Sequence, residues 1–175
     1  ADDVFAFATY GRLVPIKRVD HVLQAAVRLP DARAFVCGGG PLENSLRRAA
    51  PGNATFLGGG EDTRALAPAF DAMVFASRRE GFPLAAVEAF AAGVPAVGYD
   101  VPGVRDALAD GRGLLVDERS GPAGSRRGAR AARRRARTRT PPGRECACRS
   151  RALRTRSRGR APARDLSRRA LERVP

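Results

Sequence analysis

The chain has 175 residues, 43% of them apolar, which is enough for one domain with its own core and some excess length. Its formal charge of +14 is unevenly spread: residues 1–118 hold 12 Lys/Arg against 15 Asp/Glu, and residues 119–175 hold twenty arginines against three acids. The basicity belongs wholly to the tail, which excludes a reading of the whole protein as basic.

Residues 4–10 read as a buried strand, and 17–29 as a helix with Val19, Val22, Leu23, Ala26 and Val27 at helical spacing. Residues 33–37 form a second strand, ended by Gly38-Gly39-Gly40. Pro41 then opens a helix to residue 50, as suits a first helical turn. A third strand is expected at 54–57, a helix near 62–70, a fourth strand at 72–76, and a helix at 83–92 closed by Gly93. Residues 95–99 give a fifth strand, 104–109 a helical turn and 113–116 a last strand. Apolar runs that do not alternate mark strands covered on both faces, and strand–helix repeats imply a parallel sheet. The expectation is a Rossmann-like, doubly wound α/β domain over residues 1–118.

From Arg119 the pattern stops. The only large apolar residues of the tail are Leu153, Leu166, Leu171 and Val174, too few to offset the entropy of ordering, so residues 119–175 are expected to be disordered. The tail has no lysine and no aromatic residue for stacking on bases, which argues against nucleic acid as a partner. Its charge is compatible with peripheral membrane association. Arg, Ala, Pro and Gly are the residues of GC-only codons, and their dominance points first to a frameshifted or misjoined gene end.

Cys37 lies in an apolar run and reads as a buried small residue, while Cys146 and Cys148 lack zinc-knuckle spacing. No signal peptide or membrane-spanning run is evident, so a cytoplasmic setting is expected. The chain starts at Ala1-Asp2-Asp3 without an initiator Met, as a fragment would.

In an open α/β sheet, ligands bind at the carboxyl ends of the strands. Three segments fall there. In Gly11-Arg12-Leu13-Val14-Pro15-Ile16-Lys17 the glycine permits a tight exit, and two cations bracket a loop able to close on a diphosphate. In Ser77-Arg78-Arg79-Glu80-Gly81-Phe82-Pro83-Leu84, Gly81 and Pro83 allow close backbone approach at a helix start, whose N–H groups form an anion site. Glu80 and Glu88 are carboxylates suited to polyol hydroxyls. Asp100-Val101-Pro102-Gly103-Val104-Arg105-Asp106 is a third, weaker candidate. The triple glycine lacks the dinucleotide fingerprint, and its Gly39 and Gly40 are candidates for close contact with a base or ribose. His21, the one histidine, is expected on a helix surface.

Gly-Arg-Leu-Val-Pro-Ile-Lys-Arg-Val-Asp (11–20), Gly-Gly-Gly-Pro-Leu (38–42), Glu-Gly-Phe-Pro-Leu-Ala-Ala-Val-Glu (80–88) and Ala-Ala-Gly-Val-Pro-Ala-Val (91–97) together resemble the C-terminal, donor-binding domain of GT-B retaining glycosyltransferases of family 4, glycosyl transferases group 1. The resemblance covers nearly all of residues 4–117 in order, and the Glu-x7-Glu element is its most specific part. It implies a hexosyltransferase domain using a UDP-, GDP- or ADP-sugar with retention and without a metal or other cofactor. Arg12 and Lys17 would neutralise the diphosphate, and Glu80 would contact hydroxyls of the transferred sugar. Gly11, Gly81 and the backbone of Phe82, Pro83 and Leu84 would hold phosphate and sugar, and Glu88 the ribose. Three departures are visible: Arg18 where glycine is frequent, Pro102-Gly103 for Gly-Gly, and Asp106 for Glu. The resemblance also implies that the acceptor site belongs to an N-terminal domain absent from this sequence. The acceptor is unnamed, and a chain limited to these residues is expected to bind a donor better than it turns one over. The rival readings are a non-catalytic nucleotide-sugar-binding fragment and a basic nucleic-acid-binding protein acting through the tail.

Overall fold

The computed structural model describes residues 4–60 and 63–138. Six strands form one all-parallel sheet: β1 (Ala6–Tyr10), β2 (Arg33–Cys37), β3 (Ala54–Gly58), β4 (Ala72–Phe75), β5 (Ala96–Tyr99) and β6 (Gly113–Val116), in the order β3-β2-β1-β4-β5-β6. Helices α1 (Val19–Val27), α2 (Glu43–Ala49), α3 (Thr63–Leu66), α4 (Leu84–Ala91), α5 (Val104–Leu108) and α6 (Gly121–Thr138) make the connections and close the chain's described part. The order reverses between β1 and β4, and an open sheet of this kind forms its ligand crevice at such a switch point. This is the doubly wound α/β architecture expected from the apolar runs.

The core explains why the runs hold. Phe7, Phe35, Met73, Val97, Tyr99 and Leu108 are all but inaccessible to solvent, with the Phe35 and Phe70 rings 5.2 Å apart. Each such side chain contributes about 1.5–3 kcal/mol on burial. A smaller cluster of Leu13, Val19, Leu23, Val36 and Leu46 seats α1 and α2 on β2. Two polar side chains pin the far end of the sheet. Asp71 accepts from the Ala6 N–H at 2.8 Å, and the Asn53 amide nitrogen lies within 3.0 Å of the carbonyl oxygens of Ala26, Leu29 and Ala32.

Element boundaries move for identifiable reasons. The helix expected over 17–29 starts at Val19, because Arg18 takes a left-handed conformation (φ 45°, ψ 47°) after a 3-10 turn at Pro15–Lys17. That conformation is why glycine suits this position. Arg18 is retained with an ion pair to Glu118 at 2.8 Å.

Order does not end at Arg119, as the lack of large apolar residues had suggested. Helix α6 runs along β5 and against α1, with Gly124, Gly128, Ala129 and Ala132 buried and Arg127, Arg130 and Arg134 exposed. A Cβ on Gly128 would sit 2.3 Å from Val97 Cγ1, and one on Gly124 would sit 2.6 Å from Val116 Cγ1. The helix is held by backbone approaching the sheet across small residues, not by large side chains. Glycine inside a helix costs up to about 1 kcal/mol against alanine, and the close packing offsets that cost here. Residues 139–175, with Cys146 and Cys148, lie outside the described residues. No helix among the described residues is long and apolar enough to cross a membrane.

Candidate functional site

At the switch point the loops after β1 and β4 face each other across a cleft of about 570 Å³. It is lined by Tyr10, Gly11 and Lys17 from one side, by Glu80, Phe82, Pro83, Leu84, Ala85 and Glu88 from the other, and floored by Phe75. The strands end here because glycine or a polar turn follows each apolar run. The Arg78 N–H donates to the Ile16 carbonyl at 2.9 Å, so the two loops are joined by main chain as well as by side chains.

The electrostatic centre is one oxygen. Glu80 Oε1 accepts from Lys17 Nζ at 2.5 Å and from Ser77 Oγ at 2.6 Å, and the Glu80 side chain is 11% exposed. In a partly buried setting this pair is stronger than a surface ion pair and positions both groups. On the Glu80 side, Pro83 precedes the first turn of α4, whose leading N–H groups have no intrahelical acceptor and carry the positive end of the helix dipole. Glu88 follows one turn along the same helix.

The structure thus brings Gly11, Lys17, Glu80, Phe82, Pro83, Leu84 and Glu88 to one cleft. Arg12 is exposed and borders a narrower recess beside it, with Thr9, Cys37 and Ser77. Gly81 is exposed on the turn, with no atom within 4 Å of where its Cβ would be. Gly39 and Gly40 do not line the cleft: a Cβ on Gly40 would lie 2.7 Å from Leu13 N and O, and one on Gly39 would face Gly59. The glycine run stands behind the β1 loop and supports it. At Gly38 the fit is tighter still, since a Cβ there would lie 2.0 Å from the Gly11 carbonyl oxygen.

Two residues of the candidate segments, given no role of their own from the sequence, act on this site. Ser77 is 2% exposed, and its hydroxyl after an apolar strand, three residues before a glutamate, was the available signal. Gly103, at the start of α5, packs under the Glu80 turn: its Cβ would fall 2.2 Å from the Glu80 carbonyl oxygen. That contact depends on the fold and has no local signature.

His21 lies on the surface of α1, where it is partly covered. Its Nδ1 is 2.8 Å from the Tyr99 hydroxyl and its ring meets Tyr99 edge-on. Burial, more than the neighbouring Arg18 and Arg78, lowers the imidazole below its ordinary 6.5, against the opposing pull of Asp20. Among the described residues no group of three His, Cys, Asp or Glu side chains is arranged to hold a metal ion.

The family model of glycosyl transferases group 1 matches residues 1–127. A D-inositol 3-phosphate glycosyltransferase of Mycobacterium sp. (strain KMS) is 39% identical over 125 residues, which cover 63% of this chain and 27% of that protein. An exopolysaccharide phosphotransferase of Streptomyces coelicolor is 42% identical over 100 residues, 51% of this chain and 11% of that one. The chain therefore spans well under a third of these relatives. Among solved structures, Anabaena HepE in complex with UDP and glucose superposes with a TM-score of 0.65 at 20% identity, covering 89% of this chain and 48% of that one. The pneumococcal O-GlcNAc transferase GtfA in complex with UDP and GlcNAc gives 0.60 at 21% identity, covering 87% and 35%.

Proposed function

The chain belongs to the glycosyl transferases group 1 family, and from that premise we propose that its described part is the donor half of a hexosyltransferase that takes a nucleoside diphosphate sugar. The observation that carries the reading is the convergence of Lys17, Glu80, Glu88 and the first turn of α4 on one cleft at the switch point. The diphosphate lies between Lys17, Arg12 and that first turn. Glu80 accepts from hydroxyls of the sugar, and Glu88 from those of the ribose. When the bond from the anomeric carbon to phosphate oxygen breaks, the electron pair leaves with the nucleotide. Fixed cations and a helix dipole stabilise that growing charge without reorganisation, so the reading needs no metal.

Lys17 has two partners to serve. In the unliganded cleft it neutralises Glu80, and a diphosphate, with more charge, competes for it. Retention of configuration, a cytoplasmic location, and an acceptor site on a further N-terminal domain complete the proposal. A chain with the donor half alone binds nucleotide without efficient transfer. The acceptor is left open, since relatives with different named activities share this domain.

Calorimetric titration with UDP, GDP and ADP tests the reading. One of the three is expected to bind, with Glu88→Ala weakening it about tenfold or more. Binding to none, or binding indifferent to Glu88→Ala, would overturn it. Binding driven by the exposed arginines of α6 would instead extend to any polyanion and weaken steeply with salt.

A further inference from the structure

Ser77 has no role in the proposed chemistry, yet its hydroxyl is buried and its partner is a side-chain carboxylate rather than main chain. It donates at 2.6 Å to Glu80 Oε1, the oxygen that also takes Lys17. Two donors fill that oxygen's acceptor sites and fix the carboxylate plane. The other oxygen, Oε2, has no protein partner among the described residues, and the Glu80 side chain lines the cleft. Beneath the turn, the Glu80 and Gly81 carbonyls approach Gly103 so closely that a Cβ there would fall 2.2 Å and 2.5 Å from their oxygens.

The two donors differ in what a ligand does to them. Lys17 is 27% exposed on a flexible stem and is the group a diphosphate draws away. Ser77 is short, 2% exposed and has nowhere else to go. We propose that Ser77 is a positioning residue that gives the cleft its preference for a sugar nucleotide over the bare nucleotide, by holding the Glu80 carboxylate toward the sugar once Lys17 has turned to the diphosphate. The inference rests on the donor-site reading.

Calorimetry with UDP and UDP-glucose on the full chain separates the possibilities, using Ser77→Ala, Ser77→Cys (which keeps the volume but only a weak donor), Glu80→Ala and the double variant, each checked for an unchanged unfolding midpoint. Ser77→Ala is expected to bind UDP within about twofold of the parent and UDP-glucose about tenfold more weakly, with Ser77→Cys between. In the Glu80→Ala background, losing the hydroxyl is expected to change nothing further. Equal weakening of both ligands, unchanged UDP-glucose affinity, or an undiminished effect without Glu80 would each overturn the inference. Where the parent prefers GDP or ADP to UDP, the same variants are compared on that nucleotide and its glucose sugar; binding to none of the three removes the donor-site reading and this inference with it.

Discussion

The two walls of the cleft are fastened in different ways. The β1 wall, residues 11–17, is tied by main chain: Gly11 N–H to the Cys37 carbonyl at 3.0 Å, Leu13 N–H to that of Gly39 at 2.9 Å, and Leu42 N–H to that of Leu13 at 3.1 Å. The β4 wall, residues 77–88, shares one main-chain bond with it, Arg78 N–H to the Ile16 carbonyl, and around Glu80 is tied by side chains, with Ser77 and Lys17 meeting on the carboxylate. A wall held by main chain accepts changes of exposed side chains but no Cβ beneath it. A wall held by side chains is sensitive to the removal of single atoms while its backbone stays in place. The first sets the shape of the cleft, and the second its charge.

Breaking the main-chain wall should have the largest effect. A Cβ at Gly38 would lie 2.0 Å from the Gly11 carbonyl oxygen and 2.9 Å from its carbon, both backbone atoms, at a φ of 135° that side chains rarely adopt. Gly38→Ala is expected to cost more than about 3 kcal/mol in urea unfolding and to abolish nucleotide binding. Lys17→Ala tests the side-chain wall. It should weaken the preferred nucleotide by roughly 10–100-fold, the range of a charge-assisted hydrogen bond, while costing less in unfolding, because Ser77 still donates to the Glu80 carboxylate. Equal losses in the two measurements would erase the distinction between the walls.

Arg18→Gly sharpens the contrast at the junction of the β1 loop and α1. It relieves a left-handed conformation worth about 1–2 kcal/mol and forfeits an ion pair worth about 0–1 kcal/mol, so stability should rise by about 0–2 kcal/mol and nucleotide affinity should not move. The smallest effect is expected at His21. Its imidazole is held below the ordinary value of 6.5, so the unfolded chain binds the proton more readily. Stability attributable to His21 is therefore present above pH 6.5 and lost as pH falls through and below it. Unfolding of His21→Gln, followed over the same pH range, should lack that component.

Much of this was legible in the sequence. The six strands follow from uninterrupted apolar runs such as Ala34-Phe35-Val36 and Met73-Val74-Phe75, and Lys17, Glu80 and Glu88 stood out as charges at strand and helix ends. What could not be read depends on neighbours distant in the chain. Nothing local says that the glycine run packs behind residues 11–13, or that Gly103 supports the turn of Glu80. The tail misled for a physical reason: counting large apolar residues misses a helix that docks across Gly124, Gly128 and Ala132. The partner of His21, Tyr99 on β5, is likewise set by the fold and not by local sequence.

The proposed donor site lies at the switch point between β1 and β4. The described structure also carries a second hollow at the opposite end of the sheet, lined by Phe5, Leu29, Asp31, Arg130 and Arg134, where an anion has cations to meet but no α4 first turn and no Glu88. Nuclear magnetic resonance of the isotopically labelled full chain, titrated with UDP, tells the two apart. Shift changes are expected at Gly11, Lys17, Gly81, Leu84, Ala85 and Glu88, saturating together. Changes concentrated at Leu29, Arg130 and Arg134, with the cleft silent, would contradict the account.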